Sequence, residues 1–429
     1  MSEVVSLARE LIRFDTTNTG DERGKGERRA AEFVAERLAE AGYEPAYVEP
    51  AKGRGNVVVR LPGADATRDA LLVHGHLDVV PADVRDGWEV PPFEGEIRDG
   101  YLWGRGAVDM KHMVAMSLAV ARRFKRDGVV PPRDVVFAFL ADEEDGGHQG
   151  AGWLVEHRRE LFDGVGEAIS EVGGFSVDLR DDVRAYLVET AEKGSMWLRL
   201  KVRGTAGHGS MVHTDNPVAK LAAALTRLER HRFPLVLSEP VRDFLAGVSE
   251  LTGVPFDPDD PEAAVARLGS LSRMIGATLR DTANTTMLSA GSRSNVVPSM
   301  AEATVDGRML PGREAAFARE LAEVLGPEVE MDWDELPPVQ TTFDGRLVDA
   351  MAAAIEAEDP GARVLPYMLS AGTDAKSFQR LGIRHFGFAP LRLPPGLDFT
   401  GLFHGVNERV PIDGLEFGER VLDRLLRTC

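Results

Sequence analysis

His76 and Asp78 lie two residues apart in the stretch DALLVHGHLDVVP, directly after an apolar segment of strand type, and they could act together on a metal ion. In an extended chain, residues two apart point to the same face, so both side chains project together from the strand end. A carboxylate beside an imidazole holds a metal-ligating histidine in one tautomer. Two ordinary polar residues at the exit of a buried strand would give the same pattern, so the interpretation depends on ligands elsewhere in the chain.

Four other segments offer side chains of metal-ligand type. The acids are Asp109 in GRGAVDMK, Glu143 and Glu144 in ADEEDGG, and Glu171 in SEVGG, and the histidine is His404 in FHGVNERV. Zinc accepts imidazole and carboxylate ligands, and a catalytic zinc site keeps one position open for water. Two metal ions about 3.5–4 Å apart can share a bridging carboxylate. With the pair above, these residues supply a histidine and an acid for each of two metals, a bridging acid and a general base.

The elements that would position these residues alternate between strand and helix. This alternation predicts an α/β domain with a largely parallel sheet. In such sheets ligands collect outside the carboxyl ends of the strands, which is where most of the candidate residues fall. Helical periodicity covers residues 2–14, 27–41, 110–126 and 151–161, and strand patterns cover residues 57–61, 70–74, 135–141 and 168–170.

The chain changes character near Lys193, and we predict an inserted second domain over residues 193–310. At Arg313 the first pattern resumes, which gives a catalytic domain of residues 1–192 and 311–429. The stretch 232–284 is more than a minimal four-stranded insert needs, and it could cover the site or modify a dimer interface. The insert's own pattern is a strand at 195–202, a helix at about 218–231, and strands at about 286–290 and 301–309.

Composition narrows the classes of function. At 429 residues the chain is long for a single core, which favours two domains. A net charge of −19 argues against nucleic acid and anionic membrane surfaces as partners. One cysteine, Cys429, excludes a disulfide framework and a cysteine-rich zinc site. The first helix carries internal charges unlike a signal peptide, and no apolar run approaches the roughly 20 residues of a membrane helix, so we expect a cytoplasmic protein.

Each candidate also has an ordinary structural explanation. Glu143 and Glu144 would fit a solvated acidic turn, and Asp109 would fit an N-cap before the helix that follows it. Gly104 and Gly106 resemble part of a phosphate-binding loop. The third glycine of that loop is missing and no long strand precedes the segment, which argues against a nucleotide site.

The five motifs together resemble the M20 family of co-catalytic zinc aminopeptidases, carboxypeptidases and deacylases. The resemblance covers essentially the whole chain, with the motifs in the family's order and spacing. It implies an α/β catalytic domain of the zinc-exopeptidase type, with a mixed, mostly parallel sheet sandwiched by helices. It also implies that the insert is an α+β ferredoxin-like lid and dimerisation domain. The motifs are HGHLD, WGRGAVDMK, ADEEDGG, SEVGG and FHGVNERV.

The resemblance implies two divalent metal ions, Zn²⁺ in the first place, with Co²⁺ or Mn²⁺ as alternatives. His76 and Glu171 would complete one metal site, Glu144 and His404 would complete the other, and Asp109 would bridge them. His/carboxylate sites accept several divalent ions, so the sequence leaves the physiological metal open.

Two further residues of these motifs would act beside the metals. By the same resemblance, Asp78 would orient the first histidine and Glu143 would be the general base and acid. A carboxyl group that takes a proton from water and returns it to a leaving nitrogen works best with a raised pKa. Burial raises such a pKa, whereas nearby cations lower it.

Five more positions match residues that touch the substrate in the family. His208 in GTAGHGS resembles a lid histidine that reaches the partner subunit's active site and stabilises the developing oxyanion. Asn295 in SNVVP and Arg308 in DGRML match positions that bind the substrate's carboxylate, a task for which arginine has paired donors. A salt bridge at a strand edge would explain Arg308 equally well. Gly372 and Thr373 in SAGTDAKSF match a substrate-lining loop.

These observations predict a hydrolase that cleaves the amide bond of a small peptide or N-acyl amino acid with metal-activated water. The SEVGG motif is similar to the aminoacylase and carboxypeptidase S side of the family. Succinyl-diaminopimelate desuccinylase, acetylornithine deacetylase and dipeptidase activities are the alternatives. A non-catalytic binding protein on this scaffold should have lost a ligand or the base, yet every motif position is filled. We expect a small-molecule substrate, no nucleic acid or membrane partner, and a homodimer formed through the lid.

Overall fold

The computed structural model describes residues 1–21, 23–180, 183–269 and 271–429. Among these described residues, no helix combines the length and the apolar character needed to cross a membrane. The helices are α1 (Glu3–Arg13), α2 (Arg28–Glu40), α3 (Lys111–Asp127), α4 (Ala151–His157), α5 (Pro217–Arg230), α6 (Glu239–Thr252), α7 (Pro261–Val265), α8 (Leu271–Gly276), α9 (Glu314–Leu325), α10 (Arg346–Glu358), α11 (Ala375–Phe378) and α12 (Ile412–Thr428). The strands are β1 (Ala46–Val48), β2 (Asn56–Leu61), β3 (Ala70–His76), β4 (Glu96–Arg98), β5 (Tyr101–Trp103), β6 (Val135–Leu140), β7 (Val165–Ser170), β8 (Ser176–Arg180), β9 (Val183–Glu192), β10 (Gly194–Arg203), β11 (Gly207–His208), β12 (Thr282–Ala290), β13 (Val296–Val297), β14 (Met300–Met309), β15 (Glu330–Leu336), β16 (Val339–Gln340), β17 (Arg363–Leu369), β18 (Arg384–Gly387) and β19 (Arg409–Pro411).

A mixed sheet forms the centre of the larger domain, in the order β1-β2-β6-β3-β7-β18-β9-β16, with β8 and β17 also paired to β9. Its central strands β6, β3, β7 and β18 run parallel. Leu71 and Val73 of β3 pack on the side of α1, α3 and α12, whereas Leu72 packs on the side of α4 and α11. Burial on both faces explains the apolar run of residues 70–73 in β3. The predicted α/β fold, with helices on both sides of the sheet, is confirmed.

The parallel pairing brings the ends of several strands to one edge of the sheet. His76 lies opposite Leu140 in the register of β3 and β6, and Val73 lies opposite Ile169 in the register of β3 and β7. The loops that follow these three strands therefore start beside one another. This edge is where the sequence placed most of the candidate ligands.

The lid contains a four-stranded sheet in the order β12-β14-β10-β15. Helices α5 and α9 pack against it, and the chain order β10-α5-β12-β14-α9-β15 is that of a ferredoxin-like unit. Leu198 and Val305 of the sheet are buried in the same apolar cluster as Leu221 of α5. The lid thus has a core of its own, separate from that of the large domain.

The lid sheet continues beyond the predicted boundary at Pro311. Phe317 and Leu321 of α9 are buried in the lid's apolar cluster, and β15 pairs with β10 as far as Leu336 opposite Ser195. The boundary from the sequence leaves this helix and strand in the catalytic domain, because an amphipathic helix after Arg313 fits either domain. We therefore propose a lid of residues 194–336 in place of 193–310, and a catalytic domain of residues 1–193 and 337–429.

The additional stretch between α5 and β12 packs on the large domain rather than on the lid. Helix α6 lies against β17, β9 and β8 of the large sheet. Val241, Phe244 and Leu245 are buried in the same cluster as Tyr367 of β17. Gly247 approaches so closely that an added Cβ would lie 2.4 Å from a side-chain carbon of Leu365. The chain therefore leaves the lid after α5, docks on the catalytic domain, and returns to the lid at β12.

Replacing Phe244 with alanine should destabilise the protein by about 3–5 kcal/mol, because this fully buried ring joins α6 to the large sheet. Val130→Ala is the control, since that side chain is 62% exposed and its loss should change stability by less than about 0.5 kcal/mol. Urea unfolding followed by circular dichroism measures both. Equal stability of the two variants would contradict the docking of α6.

Candidate active site

The structure brings all five proposed metal ligands and the proposed base to the carboxyl edge of the large sheet or next to it. His76 lies at the centre, fully buried at the end of β3. Its Nε2 is 3.0 Å from Asp109 Oδ1, 3.5 Å from Glu171 Oε2 and 3.9 Å from Glu143 Oε2. Four segments far apart in the sequence therefore meet at one imidazole.

Asp109 lies between the two candidate histidines, with one carboxylate oxygen directed at each. Its Oδ1 faces His76, and its Oδ2 is 3.1 Å from His404 Nε2. Glu144 Oε2 lies 3.2 Å from the same nitrogen of His404. A carboxylate that presents its two oxygens to two separate imidazoles has the geometry of a ligand shared by two metal positions.

The donor set fits divalent metal ions. Ligand atoms of His76, Glu143 and Glu171 all lie within 4.8 Å of one another, and so do those of His76, Asp109 and Glu144. Within the described part of the chain, the ion-pair partners of these four carboxylates are the imidazoles of His76 and His404. Buried carboxylates in such numbers need more positive charge than two imidazoles supply.

Burial and neighbouring charge shift the pKa values at this site. Burial raises the pKa of Glu171 to about 7. Burial also holds the pKa of Glu143 well above its ordinary value, and the charge of Glu171 adds to this effect. Burial opposes a charge on His76, but the carboxylates of Glu171 and Asp109 outweigh it and raise the pKa of that imidazole. The site thus favours a proton on Glu143 and positive charge between the other carboxylates.

The carboxylate of Asp78 holds the turn that carries the proposed base. Its Oδ1 accepts a hydrogen bond from the backbone N–H of Glu143 at 3.1 Å, and its Oδ2 accepts one from that of Glu144 at 3.0 Å. His76 Nδ1 lies 3.0 Å from the backbone carbonyl of Asp78 and 3.5 Å from its carboxylate. Asp78 therefore contacts the histidine mainly through its main chain, and its side chain joins the histidine's strand to the acidic turn.

A buried ion pair that the sequence analysis missed connects the loops of Asp109 and His404. Glu408 accepts hydrogen bonds from the backbone N–H groups of Val108 at 2.6 Å and Asp109 at 3.0 Å. It also pairs with Arg105 at 2.7 Å, and Arg105 donates to the backbone carbonyl of His404 at 3.2 Å. Both residues occur in the quoted motifs, but their sequence spacing gives no sign that they meet.

A second network that sequence reasoning missed lies behind the acidic turn. Asn18 Nδ2 donates to Asp78 Oδ2 and to Asp142 Oδ1, at 3.0 Å each. Arg54 donates to Asn18 Oδ1 at 3.1 Å and pairs with the buried Glu27 at 2.6 Å. Asn18 lies in the polar loop DTTNTGDERGKG after α1, whose sequence gives no sign of these partners.

Three non-glycine residues beside the site have left-handed backbone conformations. Asp142 precedes the acidic turn with φ of 69°, Val172 follows Glu171 with φ of 54°, and His404 itself has φ of 56°. A β-branched residue rarely adopts this conformation. The Tyr367 hydroxyl donates a hydrogen bond to the Val172 carbonyl, which helps hold that turn. Strain of this kind gathers at functional sites, where the surrounding contacts enforce it.

The site opens into a cleft of about 650 Å³ between the catalytic domain and the lid. Arg308 of β14 lines the lid side, and Gly372 and Thr373 line the side formed by the loop after β17. The backbone N–H of Thr373 donates to the buried Glu192 at 3.1 Å, which fixes this loop. Arg273 of α8 also lines the cleft, so the stretch that docks on the catalytic domain reaches the site.

His208 and Asn295 lie apart from this cleft, on the exposed surface of the lid. They neighbour each other there, because the N–H of Gly209 donates to the Asn295 carbonyl at 2.8 Å. His208 Nδ1 lies 2.8 Å from Ser210 Oγ. Within one chain, therefore, the structure unites the metal-ligand candidates with Arg308, Gly372 and Thr373 but not with these two lid residues.

Comparison with known proteins identifies the family. The profile of "Peptidase family M20/M25/M40" matches residues 72–428, which is most of the chain. The chain belongs to this family. It is accordingly a hydrolase that acts on amide bonds, and the resemblance read from the five motifs is confirmed.

Individual relatives agree with the family match. The N-fatty-acyl-amino acid synthase/hydrolase of Xenopus tropicalis is 30% identical over 381 residues, which cover 83% of this chain and 72% of that protein. Aminoacylase-1 of Sus scrofa is 29% identical over 412 residues, which cover 92% of this chain and 88% of that protein. The crystal structure of an M20 family metallo-carboxypeptidase from Sulfolobus solfataricus has the same fold, with a TM-score of 0.75, 18% identity, and coverage of 100% of this chain and 99% of that one.

Asp78→Ala should weaken metal binding about 10- to 100-fold, because the acidic turn loses its attachment to the strand of His76. His76→Ala should lose one bound metal ion completely. Titration with Zn²⁺, followed by calorimetry and elemental analysis, measures affinity and stoichiometry. Asp163→Ala, at an exposed position, is the matched control and should bind as the unchanged protein does. Unaltered metal affinity in Asp78→Ala would contradict the positioning role.

Proposed function

We propose that this enzyme hydrolyses the amide bond of an N-acyl amino acid or a small peptide with two divalent metal ions. The observation that carries the proposal is Asp109, whose two carboxylate oxygens face His76 and His404 beside the acid Glu143. Among the substrate classes, N-acyl amino acids come first, because two relatives are named for activity on acylated amino acids.

The proposed ligands divide into two sets around the shared acid. His76 and Glu171 would hold one metal ion, Glu144 and His404 the other, and Asp109 both. Bound there, the ions would activate water and polarise the scissile carbonyl. Zn²⁺, with Co²⁺ or Mn²⁺ as alternatives, and a cytoplasmic location remain predictions from the sequence.

Glu143 would move the proton of the reaction. As water adds to the carbonyl carbon, a carboxylate oxygen of Glu143 accepts a proton, and the same group returns it to the leaving nitrogen as the C–N bond breaks. The raised pKa of Glu143, caused mainly by burial, supports this role because a carboxyl group with a raised pKa is a better proton acceptor than an ordinary carboxylate. The hydrogen bond from the backbone N–H of Glu143 to the carboxylate of Asp78 would keep Glu143 in position.

Arg308 would bind the carboxylate of the substrate. It lines the same cleft as the proposed ligands, and its Nε pairs with Asp306 Oδ1 at 2.8 Å, which orients the guanidinium. Gly372 and Thr373 would contact the substrate from the opposite side of the cleft. A guanidinium suits a carboxylate through its paired, charge-assisted hydrogen bonds.

The lid would form a homodimer, in which His208 and Asn295 of each subunit serve the other subunit's cleft. Two observations support this arrangement. Both residues lie on the exposed lid surface, away from the cleft of their own chain. Strand β12 is an edge strand of the lid sheet, and it exposes Met287 and Leu288 by 67% and 66%. An exposed apolar edge strand offers unpaired backbone groups to a partner.

Glu143→Gln should lower kcat by about 10²–10⁴-fold while metal content stays the same, because the proton carrier is lost and the ligands remain. The exposed neighbour Asp145→Asn is the control and should retain full activity. The substrates are N-acyl amino acids with acetyl and succinyl groups, and dipeptides, each assayed with and without a chelator.

Hydrolysis that survives metal removal would contradict the metal-dependent mechanism. If none of the substrates is hydrolysed even after Zn²⁺ or Co²⁺ is restored, the enzyme proposal is contradicted and a non-catalytic binding protein takes its place. A strict preference for the succinyl group or for dipeptides would replace the leading substrate class.

In the same assay, Arg308→Met should raise KM about 10- to 100-fold for substrates with a free carboxylate, and should not raise it for their carboxamides.

Met287→Lys should shift the protein from dimer to monomer, because it places a charge on the apolar edge of β12. Sedimentation velocity at micromolar concentration measures the change. Val84→Lys, at a 59% exposed position on the catalytic domain, is the control and should leave the dimer intact. A fully active monomer would contradict the lid dimer and the assignment of His208 to the partner subunit.

A further inference from the structure

Lys376, a buried lysine of α11, lies where the loop after β17 meets the two segments that lead into and out of the lid. Its Nζ donates a hydrogen bond to the backbone carbonyl of Lys193 at 2.7 Å and to that of Pro337 at 3.4 Å. In the boundaries proposed above, Lys193 is the last residue before the lid and Pro337 is the first residue after it. One ammonium group therefore contacts both the outgoing and the returning segment.

The third partner of this ammonium is Glu192, a fully buried acid that also holds the substrate-lining loop. Its Oε2 lies 3.1 Å from Lys376 Nζ and accepts the hydrogen bond from the backbone N–H of Thr373. The hydroxyl of Thr373 donates to the other carboxylate oxygen. An ammonium has three N–H donors, and its three partners account for all of them. Lys376 therefore acts on the loop and the lid segments rather than on a substrate.

Gly372 gives this lysine the room that it needs. A Cβ added at this position would lie 2.2 Å from Cε of Lys376 and 3.0 Å from its Nζ. Any other residue at position 372 would push the lysine away from its partners. The glycine of the substrate-lining loop is therefore required for the contact between the loop and the lid segments.

A second buried lysine extends the connection to the segment that enters β12. Nζ of Lys193 donates to the backbone carbonyl of Ala277 at 2.8 Å and to Oγ1 of Thr282 at 3.2 Å. Thr282 is the first residue of β12. Among the described residues, three of the four segments that pass between the domains therefore meet at Lys376 or Lys193.

The lid residue that lines the cleft lies only a short distance along the sheet from this junction. Arg308 is opposite Ser195 in the register of β10 and β14, and Leu336 is opposite the same serine in the register of β10 and β15. Ser195 follows Lys193 by two residues, and Leu336 directly precedes Pro337. The strand pairing thus carries the position of both segments to the backbone of Arg308.

Filling of space alone is a weak explanation for two buried ammonium groups at a domain boundary. Removing a charge from water is unfavourable, and apolar side chains of similar volume often stabilise a protein as well as a buried ion pair does. Hydrogen bonds from an ammonium differ from apolar contacts because they fix the positions of particular partners. The partners of Lys376 lie on both sides of the cleft entrance, in the substrate-lining loop and in the segments of the lid.

We propose that Lys376 is a positioning residue that keeps Arg308 of the lid at a fixed separation from Gly372 and Thr373 across the cleft. The inference rests on the proposed function, since it takes these residues to contact the substrate from opposite sides. The paired hydrogen bonds of a guanidinium to a carboxylate depend on direction. Without Lys376, a substrate held by the loop no longer meets Arg308 in the right place.

The kinetic test is a double-mutant cycle between Lys376 and Arg308. Lys376→Met should raise KM about 10- to 100-fold for substrates with a free carboxylate, as Arg308→Met does, whereas an enzyme that is merely less stable loses kcat and keeps its KM. Arg308→Met added to Lys376→Met should raise KM by no more than about threefold further. Lys52→Met, at an exposed position on the catalytic domain, is the matched control and should leave KM unchanged.

Hydrogen exchange of the substrate-free, metal-loaded protein tests the same connection without any reaction. In Lys376→Met, amide exchange should become at least about tenfold faster both in peptides that contain Thr373 and in peptides that contain Ser195. Peptides from α12 are the internal reference and should exchange as in the unchanged protein. If Lys376→Met does not fold, Glu192→Gln removes the same ion pair from a fully buried position and should give the same kinetic and exchange results.

The two measurements separate this inference from the proposed function. Faster exchange at both places, with no hydrolysis of any substrate, would contradict the proposed function alone. Three results would overturn the positioning role of Lys376. They are an unchanged KM in Lys376→Met, a full 10- to 100-fold further rise in KM when Arg308→Met is added, and faster exchange confined to the substrate-lining loop.

Discussion

The crowding of buried carboxylates around His76 is the constraint on which the rest of the structure depends. Acids from three loops lie within 3.9 Å of its Nε2. Like charges about 4 Å apart repel by roughly 4 kcal/mol at an effective dielectric constant of 20. Such a cluster persists only if the backbone holds the carboxylates in place and positive charge compensates their negative charge. The parallel sheet provides the first condition, and the two imidazoles and the proposed metal ions provide the second.

Buried hydrogen bonds from residues outside the cluster hold its loops against this repulsion. Asp78 attaches the acidic turn to the end of β3, and Glu408 attaches the loop of Asp109 through backbone N–H groups. Arg105 carries the same connection to the main chain of His404. Every candidate ligand loop except that of Glu171 is therefore fixed by a charged residue that does not itself need to touch substrate. The Glu171 loop depends instead on a left-handed turn at Val172.

The sequence predicted the parts of the site that follow from periodicity and strand ends. His76 and Glu171 each end or follow a strand, and parallel strands must bring such ends together. His404 follows no comparable element, so its residue type made it a candidate but only the family resemblance placed it in the site. The partners of Asn18 and Glu408 depend on the paths of long loops, which carry no periodic signal. The boundary predicted at Pro311 differs from the one we propose for a related reason. An amphipathic helix shows in its sequence that one face is buried, but not which domain's core buries it.

The docking of α6 on the large sheet also has a mechanical consequence for the lid. A simple insert is joined to its host by one outgoing and one returning segment, which together form a hinge. Here the chain crosses between the two bodies at Gly194, after α5, before β12 and after β15, because the stretch between α5 and β12 packs on the catalytic domain. A rotation of the lid must bend four connections at once. The lid is therefore connected to the catalytic domain by four segments. Its opening is restricted to motions that all four connections allow.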